Sequence, residues 1–174
     1  MQKKLFYNTL AGIVFVSVIG TLLHFTYEWS GNNLFAALIA PVNESTWEHM
    51  KMLFFPMVFY SIFEASRLKK TYPKIFCANS IGLLVGMILL PSIFYTYTGI
   101  VGTNYLVADI MTFLISVTAA FLVGFFLTKK WTDKPAHPVL CFLFECIVWI
   151  LMLCFFIFTF FPPSAILFIP PPLS

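Results

Sequence analysis

Charge is what this chain has least of. Only 10% of its 174 residues are Asp, Glu, Lys or Arg, against about 25% in soluble domains. A chain so poor in charge cannot clothe a water-facing surface. Several catalytic and binding signatures are missing too. The four cysteines (Cys77, Cys141, Cys146, Cys154) form no C-x-x-C pair and no His/Cys finger spacing, so they are expected to be buried apolar thiols. There is no G-x-S-x-G elbow, and "EH" at Glu48-His49 lacks the second histidine of H-E-x-x-H. No internal repeat and no apolar/polar alternation of the kind a membrane β-barrel needs is visible. The formal charge of +3 points to no nucleic-acid partner, because the basic residues have another explanation.

What the chain has in abundance is long apolar runs, with 60% hydrophobic residues and 22 phenylalanines. A helix needs about 20 apolar residues to cross a hydrocarbon layer of roughly 30 Å. Five runs qualify: 5–27, 45–66, 75–97, 104–128 and 138–161. The expectation is an all-α, polytopic helical bundle of five transmembrane helices, a single integral membrane domain over 1–174. Lys3, Lys4, Arg67, Lys69, Lys70, Lys74, Lys129, Lys130 and Lys134 then fall on one side. By the positive-inside rule that side is cytoplasmic, as is the N-terminus, with the C-terminus outside a multi-pass cell-membrane protein. The first run lacks a small-x-small cleavage site and reads as an uncleaved helix.

Between the first two runs, "LFAALIA" (34–40) is apolar but too short to span, so it is expected to lie at the interface or to re-enter. Ser45 and Glu48 spell a capping box at the start of the second helix. Pro56 and Pro91 mark kinks, and Gly82/Gly86 a small-xxx-small packing face whose first use is inside the chain. The tail has five prolines in its last thirteen residues and is expected along the outer interface, as a structural segment or a lid.

Ionisable groups inside spans cost roughly 2.5–3.5 kcal/mol each at mid-helix and need a reason. Ser17, Thr21, His24 and Glu28 share one face of the first helix. Glu44, Glu48 and Lys51 share a face at the start of the second, with His49 one step around, and Asp109, Thr112 and Ser116 share one on the fourth. All lie toward the outer side. The expected binding pocket therefore comprises His24, Glu28, Asn43, Glu44, Trp47, Glu48, His49, Lys51 and Asp109. His24, Glu48 and His49 are the candidate metal ligands, with no cofactor otherwise indicated. Glu145, about seven residues into the fifth run, is a candidate proton relay or a hydrogen-bonded structural acid. Helix-end physics supplies a plainer account of several: carboxylates favour a helix N-terminus, Lys51 can pair with Glu48, Glu64 with Arg67, and Trp29 and Trp47 suit a membrane boundary.

"HFTYEWSGNN", "PVNESTWEHMK" with "LFFP", and "FTFFPP" resemble an uncharacterised family of small bacterial integral membrane proteins. That resemblance implies five spans and the same site residues, and names no reaction. Three functions stay open: binding or transport of a small molecule or ion; a membrane enzyme, metal- or acid/base-dependent, using the His/Glu cluster; or a structural or regulatory subunit. The partners expected are the lipid bilayer, a small molecule or ion, and a homo-oligomeric or other membrane partner.

Overall fold

The computed structural model describes residues 2–134 and 136–170; Pro171 and Pro172 of the tail lie outside them. Every regular element among the described residues is helical. The long helices are α1 (Gln2–Trp29), α3 (Thr46–Leu68), α4 (Ile75–Val101), α5 (Leu106–Asp133) and α6 (Pro138–Phe160); α2 (Leu34–Ile39) is a short helix between α1 and α3. One 3-10 turn, Ile166–Phe168, follows α6. The expected runs are recovered with ends shifted by up to five residues, mostly outward, because polar residues such as Lys129 and Thr132 continue a helix they do not bury.

Four helices, α1, α4, α5 and α6, are long and apolar enough to cross a membrane, the make-up of a multi-pass membrane protein. The second expected run, now α3, stands apart because Glu48, Lys51, Glu64 and Arg67 dilute its apolar character. Its position explains how it tolerates them. Sixteen of its 23 residues are buried, so it forms the centre of the bundle and the apolar helices surround it. Leu53, Phe54 and Met57 are wholly enclosed, against Val117 and Phe121 of α5 and Phe155 of α6.

The long helices alternate in direction. Tyr60 Oη donates to the Asn8 carbonyl (2.6 Å) near one end of the α1–α3 pair, and His24 meets His49 at the other. The upper end is defined here as the one where α1, α4 and α6 finish and α3 and α5 begin. Close packing depends on missing side chains. At Gly82, a Cβ would collide with the Ala120 carbonyl of α5, and at Gly86 it would lie 2.9 Å from the Ala120 Cβ. The small-residue stripe is thus spent on the α4–α5 contact. Both Pro56 and Pro91 lie inside uninterrupted helices.

Two expectations about the lower end are corrected. Cys77 and Cys141 are joined in a disulfide between α4 and α6, with Cα atoms 5.2 Å apart; only Cys146 and Cys154 are free thiols. Glu64 does not pair with Arg67. It is buried and accepts a hydrogen bond from Asn79 Nδ2 (2.9 Å), while the Arg67 guanidinium lies over the Phe63 ring. The buried face of α3 turns Glu64 inward toward α4, where an amide is the nearest donor.

Candidate functional site

The site begins with how α1 ends and α3 starts. Gly31 and Asn32 take left-handed φ values of +68° and +61°, which these residue types tolerate best, and Asn32 N–H closes back on the Tyr27 carbonyl (3.0 Å). The chain then forms α2, whose first turn is capped by Asn33 Oδ1 accepting from Phe35 N–H (2.8 Å). Before α3, Asn43 Oδ1 accepts from Ser45 N–H (2.9 Å), and Ser45 Oγ accepts from Glu48 N–H (3.4 Å). Half of the expected capping box is present. Its return bond is not, because the Glu48 carboxylate is engaged elsewhere.

This tight entry sets Glu44 beside the first turn of α3. Its Oε2 lies 3.3 Å from His49 Nε2, and His49 Nδ1–H donates to the Ser45 carbonyl (3.0 Å). The neighbouring His49 ring holds the Glu44 carboxyl below the usual carboxylate range, more than offsetting partial burial. From α1, the His24 ring packs 5.2 Å from the His49 ring. One ligand-type atom from each of His24, Glu44 and His49 lies within 4.8 Å of the others.

Across from this trio is Asp109. Its carboxylate accepts from Tyr97 Oη and from Asn104 Nδ2 (3.2 Å), which fixes it at the first turn of α5. Glu44, His49, Asp109 and Thr112 line one cavity of about 100 Å³, floored by Met52, Leu90 and Phe113. A larger hollow of about 300 Å³, walled by Tyr95, Thr98 and Thr103 and by Ile166 and Ile169 of the tail, shares Thr46, Phe94 and Asn104 with it. The tail is held there by Tyr95 Oη donating to the Ile166 carbonyl (3.2 Å) and by Phe168 against Trp47.

Glu48 and Lys51 do not join this cavity. Lys51 is completely enclosed, and its ammonium donates to Glu48 Oε2 (2.6 Å) and to the carbonyls of Ala37 (2.8 Å) and Ala40 (3.4 Å). The lysine thus caps the C-terminal end of α2, where carbonyls lack helical partners. Glu48 also accepts from Val42 N–H (3.0 Å), and its other oxygen lies 3.3 Å from Thr159 Oγ1, which shares its one proton with the Phe155 carbonyl (2.7 Å). All three donors of Lys51 are used, so the pair is a closed structural joint of α2, α3 and α6. Trp47 is likewise buried away from the cavity, among Phe155, Phe158 and Phe168.

Residues 2–170 match a family of unknown function (DUF6512). The chain belongs to that family. No curated protein and no solved structure matches it. The DUF6512 match runs from α1 through the 3-10 turn, so cavity, tail wall and buried joint all fall within it. It agrees with the expectation of an uncharacterised family.

The remaining expected site residues are scattered over this DUF6512 fold. Glu28 and Trp29 are exposed, with Trp29 stacked on Phe25, and Asn43 serves the turn. Glu145 is half-buried in the lower half of α6 and makes no hydrogen bond or ion pair with any described residue. Tyr97, Asn104 and Thr46 were not anticipated. Asn104, five residues before an aspartate at a helix start, carried a weak local signal; Tyr97 and Thr46 acquire their roles only through packing.

Proposed function

We propose that this is a five-span membrane protein whose upper end faces out of the cell and whose adjoining hollows bind a small polar molecule or ion. The observation that carries this reading is a hollow lined by Glu44, His49, Asp109 and Thr112, with a larger hollow beside it that shares Thr46, Phe94 and Asn104 as walls. The charges of α3 do not oppose a fifth span. Glu48 is paired with Lys51 and Glu64 is bonded to Asn79 inside the bundle, as intramembrane ionisable groups require. The lysines and arginine at the lower ends supply the orientation.

Binding is supported over passage. Below Thr112 the space between α1, α3 and α5 is filled by Val16, Leu53, Val117 and Phe121, and Gly12 packs directly on Phe121 and Tyr60. The test uses cysteines placed in a Cys146→Ala/Cys154→Ala background. Thr98→Cys and Thr103→Cys should react in intact cells with a small, charged, membrane-impermeant thiol reagent. Ile115→Cys, on the outward face of α5, should not. Failure of both threonine positions to react from outside removes the reading.

A further inference from the structure

Among the polar groups of the upper end, three are arranged unlike the rest. Glu48, Lys51 and Asp109 each have donors and acceptors matched within the fold. His24, Glu44 and His49 are drawn together, and His24 Nδ1 is left without that closure. A backbone carbonyl can only accept, so the 3.0 Å contact to Ser45 O fixes a proton on His49 Nδ1. In the neutral ring that leaves the Nε2 lone pair facing a carboxylate oxygen 3.3 Å away. A proton on Nε2 closes that contact as an ion pair, and a metal ion can take the proton's place. The His24 ring lies against the same His49 ring, and its Nδ1 is buried with no hydrogen-bond partner.

We infer that His24, Glu44 and His49 form a binding site for a divalent transition-metal ion of the zinc class, with its open coordination position facing the cavity. This deepens the proposed pocket and rests on it. Two imidazole nitrogens and one carboxylate oxygen are the donor set of open, three-ligand zinc sites. With metal–ligand bonds of about 2.0–2.2 Å, adjacent ligands of a tetrahedron lie roughly 3.3–3.5 Å apart, the separation already found between His49 and Glu44. The widest pair of the trio, at up to 4.8 Å, must close by roughly 1.3–1.5 Å to reach that tetrahedral separation. Glu44, with 60% of its side chain exposed, has the freedom to move. The Nδ1–H bond from His49 to a carbonyl is the kind of orienting contact that metal-bound histidines make. Asp109 across the cavity adds negative charge, its two oxygens accepting from Tyr97 and Asn104. The fourth position would take water or a donor atom of the molecule in the cavity.

The test uses full-length protein in detergent, stripped with a chelator and titrated with Co²⁺ read by visible absorption, then with Zn²⁺ as competitor. The expected result is a single ion per chain with the absorption of a low-coordinate cobalt site. Affinity should fall at least about tenfold in His24→Ala, His49→Ala and Glu44→Gln. His137→Ala, the remaining histidine and part of the lower end, should bind as the parent does. Glu44→Gln keeps size at an exposed position, so it reports on ligation even where a histidine variant folds poorly. The inference is overturned if stripped parent protein takes up neither ion, or if His24→Ala/His49→Ala binds as tightly as the parent. Thr98→Cys and Thr103→Cys reactivity separates the outcomes: modification of either without metal uptake sinks the metal site and leaves the pocket, whereas modification of neither sinks the pocket.

Discussion

Replacing Lys51 by methionine is the sharpest probe of the upper end. The ammonium is fully enclosed and holds three acceptors, and methionine fills nearly the same space without a charge. The Glu48 carboxylate would then lie buried with only Val42 N–H and Thr159 Oγ1. Removing one partner of a buried ion pair costs about 3–5 kcal/mol, and each carbonyl left without a donor adds about 1–3 kcal/mol. The ion-pair loss alone lowers the midpoint of a chain this size by roughly 6–20 °C. Thermal unfolding in detergent, followed by helical ellipticity, measures it. The double change Glu48→Gln/Lys51→Met should lose less than the two single changes summed, by about 1–3 kcal/mol, because no lone charge remains. A Lys51→Met midpoint within about 2–4 °C of the parent, a loss near 1 kcal/mol, would show that water reaches the ammonium and that the joint is not closed.

Gly82→Ala should destabilise by about 1–3 kcal/mol through collision with the Ala120 carbonyl, whereas Gly99→Ala, with open space around it, should be neutral or better; melting curves compare them. For pH, Glu44 has a lowered folded-state pKa, so its stabilising contribution is complete above the usual carboxylate range and is lost as pH falls through the lowered value. Glu44→Gln should therefore lower the midpoint at neutral pH and flatten its decline below about pH 4.5, the two proteins converging in acid. Mass spectrometry of an unreduced digest should recover peptides holding Cys77 and Cys141 as one linked species, with Cys146 and Cys154 alkylated. Recovery of Cys77 in alkylated form refutes that pairing.

Helix number and limits were legible because apolar length is a one-dimensional property. The facing of the second helix was not. Glu44, Glu48 and Lys51 stand four and three residues apart and read as one face, yet Glu44 precedes the first helical turn, so helical periodicity does not reach it. The turn built by Asn43 and Ser45 swings Glu44 to the His49 side, and Glu48 and Lys51 point the other way, under α2. The motif thus held two clusters where spacing suggested one. The disulfide joins residues 64 apart, and the Glu64–Asn79 bond crosses from one helix to the next; local spacing encodes neither. His24 and Asp109, by contrast, were placed near the cluster by topology alone.

On the five-span reading, the buried joint also bears on biogenesis. Emerging from the ribosome, α3 carries a lysine and glutamates that hydrocarbon rejects, and Thr159, 111 residues after Glu48, does not yet exist. The acceptors of Lys51, however, all lie between Ala37 and Glu48. A stretch of chain shorter than α3 itself can neutralise the ammonium before any later helix is made. The short α2 would then enter the membrane as a chaperone in cis, already clasped to the helix it allows to insert.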